Sequence, residues 1–189
     1  MSGKHLFPFL LPSLLPRWLS RFVRDRRGVA AVEFALLLPV IITLYFGGIE
    51  VADLLIIDRK VTNASNTVAD LVTQMTVVNN NSMQDIFNAT QAILTPYPGA
   101  ALQVTVTSVV ADLANNTTVA WSDGFNAAPR AVGSTIVLPA GLTTPGSSVI
   151  VSEVSYSYTN AIGQFLGTIT MTDESYLRPR RSLQIVRTP

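Results

Sequence analysis

Between Val29 and Ile49 the chain reads VAAVEFALLLPVIITLYFGGI, and Glu33 is the only charge in it. As a helix at about 1.5 Å per residue this run spans roughly 32 Å, close to the roughly 30 Å of a bilayer's hydrocarbon core. It is therefore expected to cross a membrane. The flanking charge sets the direction. Residues 1–28 hold Lys4, Arg17, Arg21, Arg24, Arg26 and Arg27 against Asp25, while the rest of the chain is net acidic, so the formal charge of +1 is a near-cancellation of two opposite regions. A basic block abutting an apolar run marks a cytoplasmic flank. The expected organisation is a basic cytoplasmic leader at 1–28, a transmembrane part of an N-terminal helix at 29–50 and an extracytoplasmic α+β domain at 51–189. The location that follows is the bacterial inner membrane, crossed once, with the C-terminal domain in the periplasm.

Upstream, residues 6–16 are also apolar, but Pro8, Pro12 and Pro16 recur too closely for a continuous helix. The Arg17-Trp18-Leu19-Ser20-Arg21 that follows is not the small-residue site at which a secretory signal would be cut. The stretch reads as a long leader touching the inner membrane surface through Trp18 and Phe22. No aromatic-interleaved basic surface follows the arginines, so nucleic acid is not an expected partner.

Composition removes most enzymes. With no cysteine there are no disulfides, zinc-thiolate sites or cysteine nucleophiles. The single histidine, His5, lies too near the N-terminus to serve a Ser-His-Asp triad or a His-ligated metal in the body of the chain. No glycine-rich phosphate loop is present. Asp173-Glu174 is the only adjacent carboxylate pair, and Asp112 with Asn115 and Asn116 lacks the ligand density of a calcium loop. No catalytic residue, metal, cofactor or small-molecule substrate is expected. Arg178, Arg180, Arg181 and Arg187 make a basic C-terminal tail. It is read as a solvated tail paired loosely with Asp173 and Glu174, with docking to a partner or a lipid headgroup as the alternative.

At the membrane entrance the residues become specific. Arg26-Arg27-Gly28 precedes Val29-Ala30-Ala31-Val32-Glu33-Phe34 and then the unbroken apolar run. This resembles the class III signal of type IV pilins. The resemblance implies that a prepilin peptidase cuts between Gly28 and Val29, which makes Glu33 the fifth residue of the mature chain. Glycine presents an extended backbone without a side chain to such a protease, and Arg24, Arg26 and Arg27 hold the bond at the interface. Glu33 would then lie roughly 6 Å beyond the new N-terminus. A carboxylate in a bilayer is costly. In the family, a neighbouring subunit's N-terminal ammonium answers that cost, which gives Glu33 a role in subunit registry. Without such a partner it is an interfacial glutamate that snorkels or is protonated.

The longer stretch RRGVAAVEFALLLPVIITLYFGGIEVADLL is similar to the TadE-like family, the pseudopilins or minor pilins of the tight-adherence (Flp-type) pilus system. Trp121-Ser122, Val154-Ser155-Tyr156-Ser157-Tyr158 and Tyr176-Leu177-Arg178-Pro179-Arg180 also look like positions of that family. No Asp-x-Ser-x-Ser motif of a von Willebrand A-type domain occurs, which separates the chain from TadG-like proteins. The resemblance implies a membrane, a prepilin peptidase, other pilin-like subunits and Tad assembly proteins as partners.

Beyond the membrane, Leu54, Ile57, Val61, Ala64, Val68, Leu71, Met75 and Val78 recur at helical spacing. The pattern predicts one helix over 29–78, transmembrane in its first half and amphipathic in its second, with Pro39 and Gly47-Gly48 as soft points. Glu50 and Asp53 mark the outer interface, or a subunit contact. Asn79-Asn80-Asn81 ends the helix, and Ser82 with Asp85 reads as the capped start of a second helix reaching Leu94. Four strands are expected: from Leu102, at Thr117–Trp121, at Val149–Tyr158 with a bulge near Glu153, and at Thr168–Leu177. Residues 123–147 form a loop with a short strand at Ile136–Leu138. The expected fold is α+β and type IV pilin-like, a long N-terminal helix packed on a small antiparallel sheet. Two functions fit: a TadE-like pseudopilin or minor pilin in pilus assembly, or an uncleaved single-pass protein with a periplasmic binding or assembly-factor domain.

Overall fold

The computed structural model describes residues 27–159 and 167–189, so the expectations for the leader, Arg24, Arg26, Trp18 and Phe22 included, lie outside the described residues. Two compact units divide the chain, Met1–Gly48 and Ile49–Pro189. Helix α1 (Arg27–Thr73) contributes to both. In the first unit every residue from Gly28 to Tyr45 is exposed on all sides, although nearly all are apolar. A helix that is apolar all round suits a hydrocarbon solvent rather than water. This is a helix long and apolar enough to cross a membrane, with a most apolar window of mean hydropathy 2.3, none of it buried. Pro39 lies within it, and Thr43 Oγ1 donates 2.8 Å to the Pro39 carbonyl.

In the second unit the rest of α1 turns amphipathic. Ile57, Val61, Ala64, Val68 and Val72 are buried in one core. After β1 (Val77–Val78) comes helix α2 (Asn80–Leu94), which buries Met83, Ile86, Phe87, Thr90 and Leu94. Lys60 Nζ donates to the carbonyls of Ile93 (2.8 Å) and Thr95 (2.7 Å), placing a cation where α2 leaves its last acceptors open. A short 3-10 turn (Gly99–Ala101) then leads into β2 (Leu102–Ala111), β3 (Thr117–Phe125), β4 (Ser148–Thr159) and β5 (Thr168–Leu177). These make an antiparallel sheet in the order β3-β2-β4-β5. Leu102, Val104, Val106, Trp121, Ile150, Val154, Tyr156 and Met171 face the helices in the main core. The architecture is the expected α+β one, with the helix packed on a small antiparallel sheet.

Four local expectations change. Helix α1 ends at Thr73 rather than Val78. The β-branched run Thr76-Val77-Val78 favours extended backbone, and β1 pairs in parallel with β6 (Val186–Arg187). Val78 is buried all the same, which is why the apolar stripe looked unbroken. The cap of α2 is Asn79, whose side chain accepts from the Ser82 backbone at 2.9 Å while Ser82 Oγ accepts from the Asn79 backbone at 2.9 Å. Ser82 is thus the third helical residue of a reciprocal box, not its cap.

The bulge lies elsewhere too. Pairing of β4 is unbroken through Glu153 on both sides, whereas β2 and β3 shift register between Ser108↔Trp121 and Val109↔Val119. The change of apolar phase in β4 arises because its second face is also covered. Val149 and Val151 form a smaller core with Val109, closed by Ile136 and Leu138 of the long loop. That loop holds one isolated bridge, Thr118↔Thr135, in place of the short strand expected at Ile136–Leu138. It is tied down by Arg130, which grips Glu153 with both guanidinium nitrogens (Nη2 to Oε1 2.8 Å).

Three of the four C-terminal arginines are tied to the fold, while Arg181 is exposed. Arg180 pairs with Asp70 on α1, and its backbone N–H donates 3.0 Å to the Thr73 carbonyl. Arg178 donates to the Leu142 carbonyl. Arg187 holds Asp123 (Nε to Oδ2 2.7 Å) and Asn80, and the Asp123 carboxylate raises the Arg187 pKa above its usual value. The tail therefore stitches β3, α1 and α2 together instead of pairing with Asp173 and Glu174.

Candidate functional site: the N-terminal helix and its first turns

The residues expected to direct processing lie at the start of α1. Arg27 opens the helix, and Gly28 and Val29 stand in its first turn. The extended backbone expected at Gly28 is thus replaced by helical backbone. A Cβ added at Gly28 would meet nothing within 4 Å, so packing does not require a glycine there. Glu33 is exposed one turn further on. Around it Val29, Val32, Phe34, Leu36 and Leu37 are all exposed as well. The arrangement is one carboxylate on an otherwise apolar, unpacked helix.

Glu50 and Asp53, read from the sequence as marking the outer interface or a subunit contact, lie in the second unit. Glu50 is only 2% exposed, and among the described residues its Oε1 has no hydrogen-bond partner. Asp53 is half-buried. Beside them stand Tyr97, Tyr156 and Tyr158, whose rings meet edge to face with centroids 6.5 Å (Tyr97–Tyr156) and 6.3 Å (Tyr97–Tyr158) apart. Burial raises the pKa of Tyr97 and of Tyr158, and the Asp53 charge raises both further; Glu50 adds to the shift at Tyr158. Sequence reading missed this tyrosine–carboxylate collar because Tyr97 sits in a Pro-Gly loop and Tyr158 at a strand end. Only the spacing of Glu50 and Asp53 on one side of a helix hinted at it.

The other candidates serve the fold. Asp112 Oδ1 accepts 2.8 Å bonds from the backbones of Ala114 and Asn116, and Oδ2 accepts one from Asn116 Nδ2 at 2.9 Å. These bonds, that from the Asn116 side chain first, lower the Asp112 pKa. The carboxylate is spent on the β2–β3 turn, where Asn115 takes a left-handed φ of 63°. Of Asp173 and Glu174, the latter accepts from the Tyr176 hydroxyl, which pushes the tyrosine pKa up to about 12. An open hollow bordered by Asn115–Thr117 and Thr135–Gly141 contains no titratable side chain. Among the described residues no group of three or more His, Cys, Asp or Glu could hold a metal ion.

No curated protein and no solved structure matches this chain. Among protein families, residues 28–70 match the model described as TadE-like protein. The match begins at Gly28, takes in Glu33 and ends inside α1. The further likenesses at Trp121-Ser122, 154–158 and 176–180 lie beyond it. The part of α1 that carries Gly28 and Glu33 is thus similar to a TadE-like protein, and it is long and apolar enough to cross a membrane.

Proposed function

We propose that this protein is a pseudopilin or minor pilin of the tight-adherence pilus. It is inserted with the leader in the cytoplasm and the second unit in the periplasm, cut after Gly28 by a prepilin peptidase, and then drawn into contact with other pilin-like subunits and Tad assembly proteins. The observation that carries the reading is Glu33, the lone charge of an apolar helix, exposed and five residues past the Gly28–Val29 bond. An unpaired carboxylate costs about 2.5–3.5 kcal/mol at the bilayer centre on insertion scales, and less at the shallower depth of Glu33. A neighbouring subunit's new N-terminal ammonium would offset that cost and fix registry between helices. Arg24, Arg26 and Arg27 hold the scissile bond at the inner face, where the first turn of α1 unwinds for the peptidase.

The N-terminus of the membrane-extracted protein tests this, measured with and without a co-expressed prepilin peptidase and alongside Gly28→Leu. A peptidase-dependent start at Val29, lost in the variant, is the expected outcome. An intact leader under all conditions would leave a permanently anchored protein whose periplasmic unit binds or assembles partners.

A further inference from the structure

In the second unit the first turns of α1 have two unlike sides. One side is taken by the fold: Glu50, Ile57, Val61 and Ala64 are buried, and Asp53 and Leu54 are half-buried. Among the described residues nothing packs on the other side. Val51 is 51% exposed, Leu55 60% and Ile56 46%, with Ala52 exposed between them. Val51 with Leu55, and Ala52 with Leu55 and Ile56, are three or four residues apart, so the four share one side of the helix. Along that same face the next exposed residues are Asp58, Arg59, Thr62 and Asn63. The change from apolar to polar is abrupt and falls between Ile56 and Asp58, not at Glu50.

We infer that the outer-leaflet interface covers the Val51–Ala52–Leu55–Ile56 face, so that lipid reaches Ile56 on one side of α1 while the folded unit occupies the other side from Glu50 onward. This rests on the reading of Val29–Ile49 as a membrane span and moves the lipid boundary two turns further along one face. The lengths agree. Val29–Ile56 rises about 42 Å as a helix, which matches the roughly 40–45 Å of a bilayer with both interfacial layers, whereas Val29–Ile49 matches the hydrocarbon core alone.

The chemistry agrees as well. Tyr97 and Tyr158, amphipathic and half-buried, stand at the level of Glu50 and Asp53, as aromatic residues do at the headgroup layer. Of the two carboxylates within these turns, Glu50 is shielded by the fold and Asp53 is half-buried. Arg59 follows where anionic headgroups would meet it. The surface fits a phospholipid interface better than a water-facing surface, which would leave three large aliphatic side chains solvated in adjacent turns.

The absence of native cysteine makes the test direct. Single substitutions Leu36→Cys, Val51→Cys, Leu55→Cys, Ile56→Cys and Asn63→Cys are placed in the full chain, reconstituted in phosphatidylethanolamine–phosphatidylglycerol vesicles and reacted with a membrane-impermeant maleimide. Rates are normalised to position 63. A thiol in apolar surroundings has a raised pKa, and each unit removes about tenfold of the reactive thiolate at neutral pH. Positions 36, 51, 55 and 56 should therefore react at least about tenfold more slowly than 63 at every lipid-to-protein ratio.

Fast reaction at 51, 55 and 56 with position 36 protected would overturn the inference and leave the span intact. Fast reaction at 36 as well would overturn the span reading itself. Protection at 51, 55 and 56 that disappears as lipid dilutes the protein would assign the face to a second copy of the chain, and would equally overturn the inference.

Discussion

Replacing Trp121 with phenylalanine should release the C-terminal segment from the sheet. The indole of Trp121, on β3, is 6% exposed and donates 2.7 Å to the carbonyl of Ile185, itself 2% exposed. Around that bond the segment is held by Val186 N–H to the Thr76 carbonyl (3.1 Å), Thr188 N–H to the Val78 carbonyl (2.9 Å) and the Arg187–Asp123 pair. Phenylalanine keeps most of the apolar contact but strands a buried carbonyl, at about 1–3 kcal/mol. The smaller ring adds less than about 1.5 kcal/mol. A loss of about 3 kcal/mol, on a urea slope of about 2 kcal/mol/M, lowers the midpoint by about 1.5 M.

The measurement is urea unfolding of the full chain in detergent micelles, followed by circular dichroism, with Ile185→Ala and the double variant alongside. Ile185→Ala alone should cost about 2–5 kcal/mol. Because both changes free the same segment, the double variant should cost less than the sum, by about 0.5–3 kcal/mol. A Trp121→Phe midpoint within about 0.5 kcal/mol of the parent, or strict additivity of the pair, would refute the role of this bond as the anchor.

Two further outcomes follow from local geometry. Asn79→Ala removes the reciprocal cap of α2 and should cost about 1 kcal/mol in the same unfolding experiment, whereas Asp85→Ala, outside that box, should cost far less. Tyr176 should titrate at about 12 in an ultraviolet difference titration, chiefly because Glu174 accepts its proton-bearing hydroxyl, and Glu174→Gln should bring it back towards 10. Since the folded value lies above the unfolded one, the stability this bond contributes is whole below pH 10 and is lost as the pH rises towards about 12.

The sequence by itself determined what depends on period and on solvent preference. The span after Gly28, the helical stripe from Leu54, α2 from its apolar face and β5 from Thr168 to Leu177 all follow from side chains that repeat with the backbone's own geometry. The stretch similar to the TadE-like family was legible for the same reason, since it lies along one helix, and the family match starts at Gly28.

What the tertiary structure alone decided involves residues far apart in the chain. Val77-Val78 belongs to a strand because Val186-Arg187, more than a hundred residues later, completes its ladder. The apolar phase of β4 changes near Glu153 without a bulge because β4 is covered on both faces, and an apolar alternation cannot say which face a loop will cover. The arginine-rich tail looked solvated because its partners Asp70, Asp123 and Asn80 are remote in sequence. The burial of Glu50 is likewise not written in its own segment: whether a carboxylate is shielded depends on which strands and loops arrive beside it. Local pattern encodes the solvent each face prefers, while the identity of the neighbour that supplies it is settled only when the chain closes on itself.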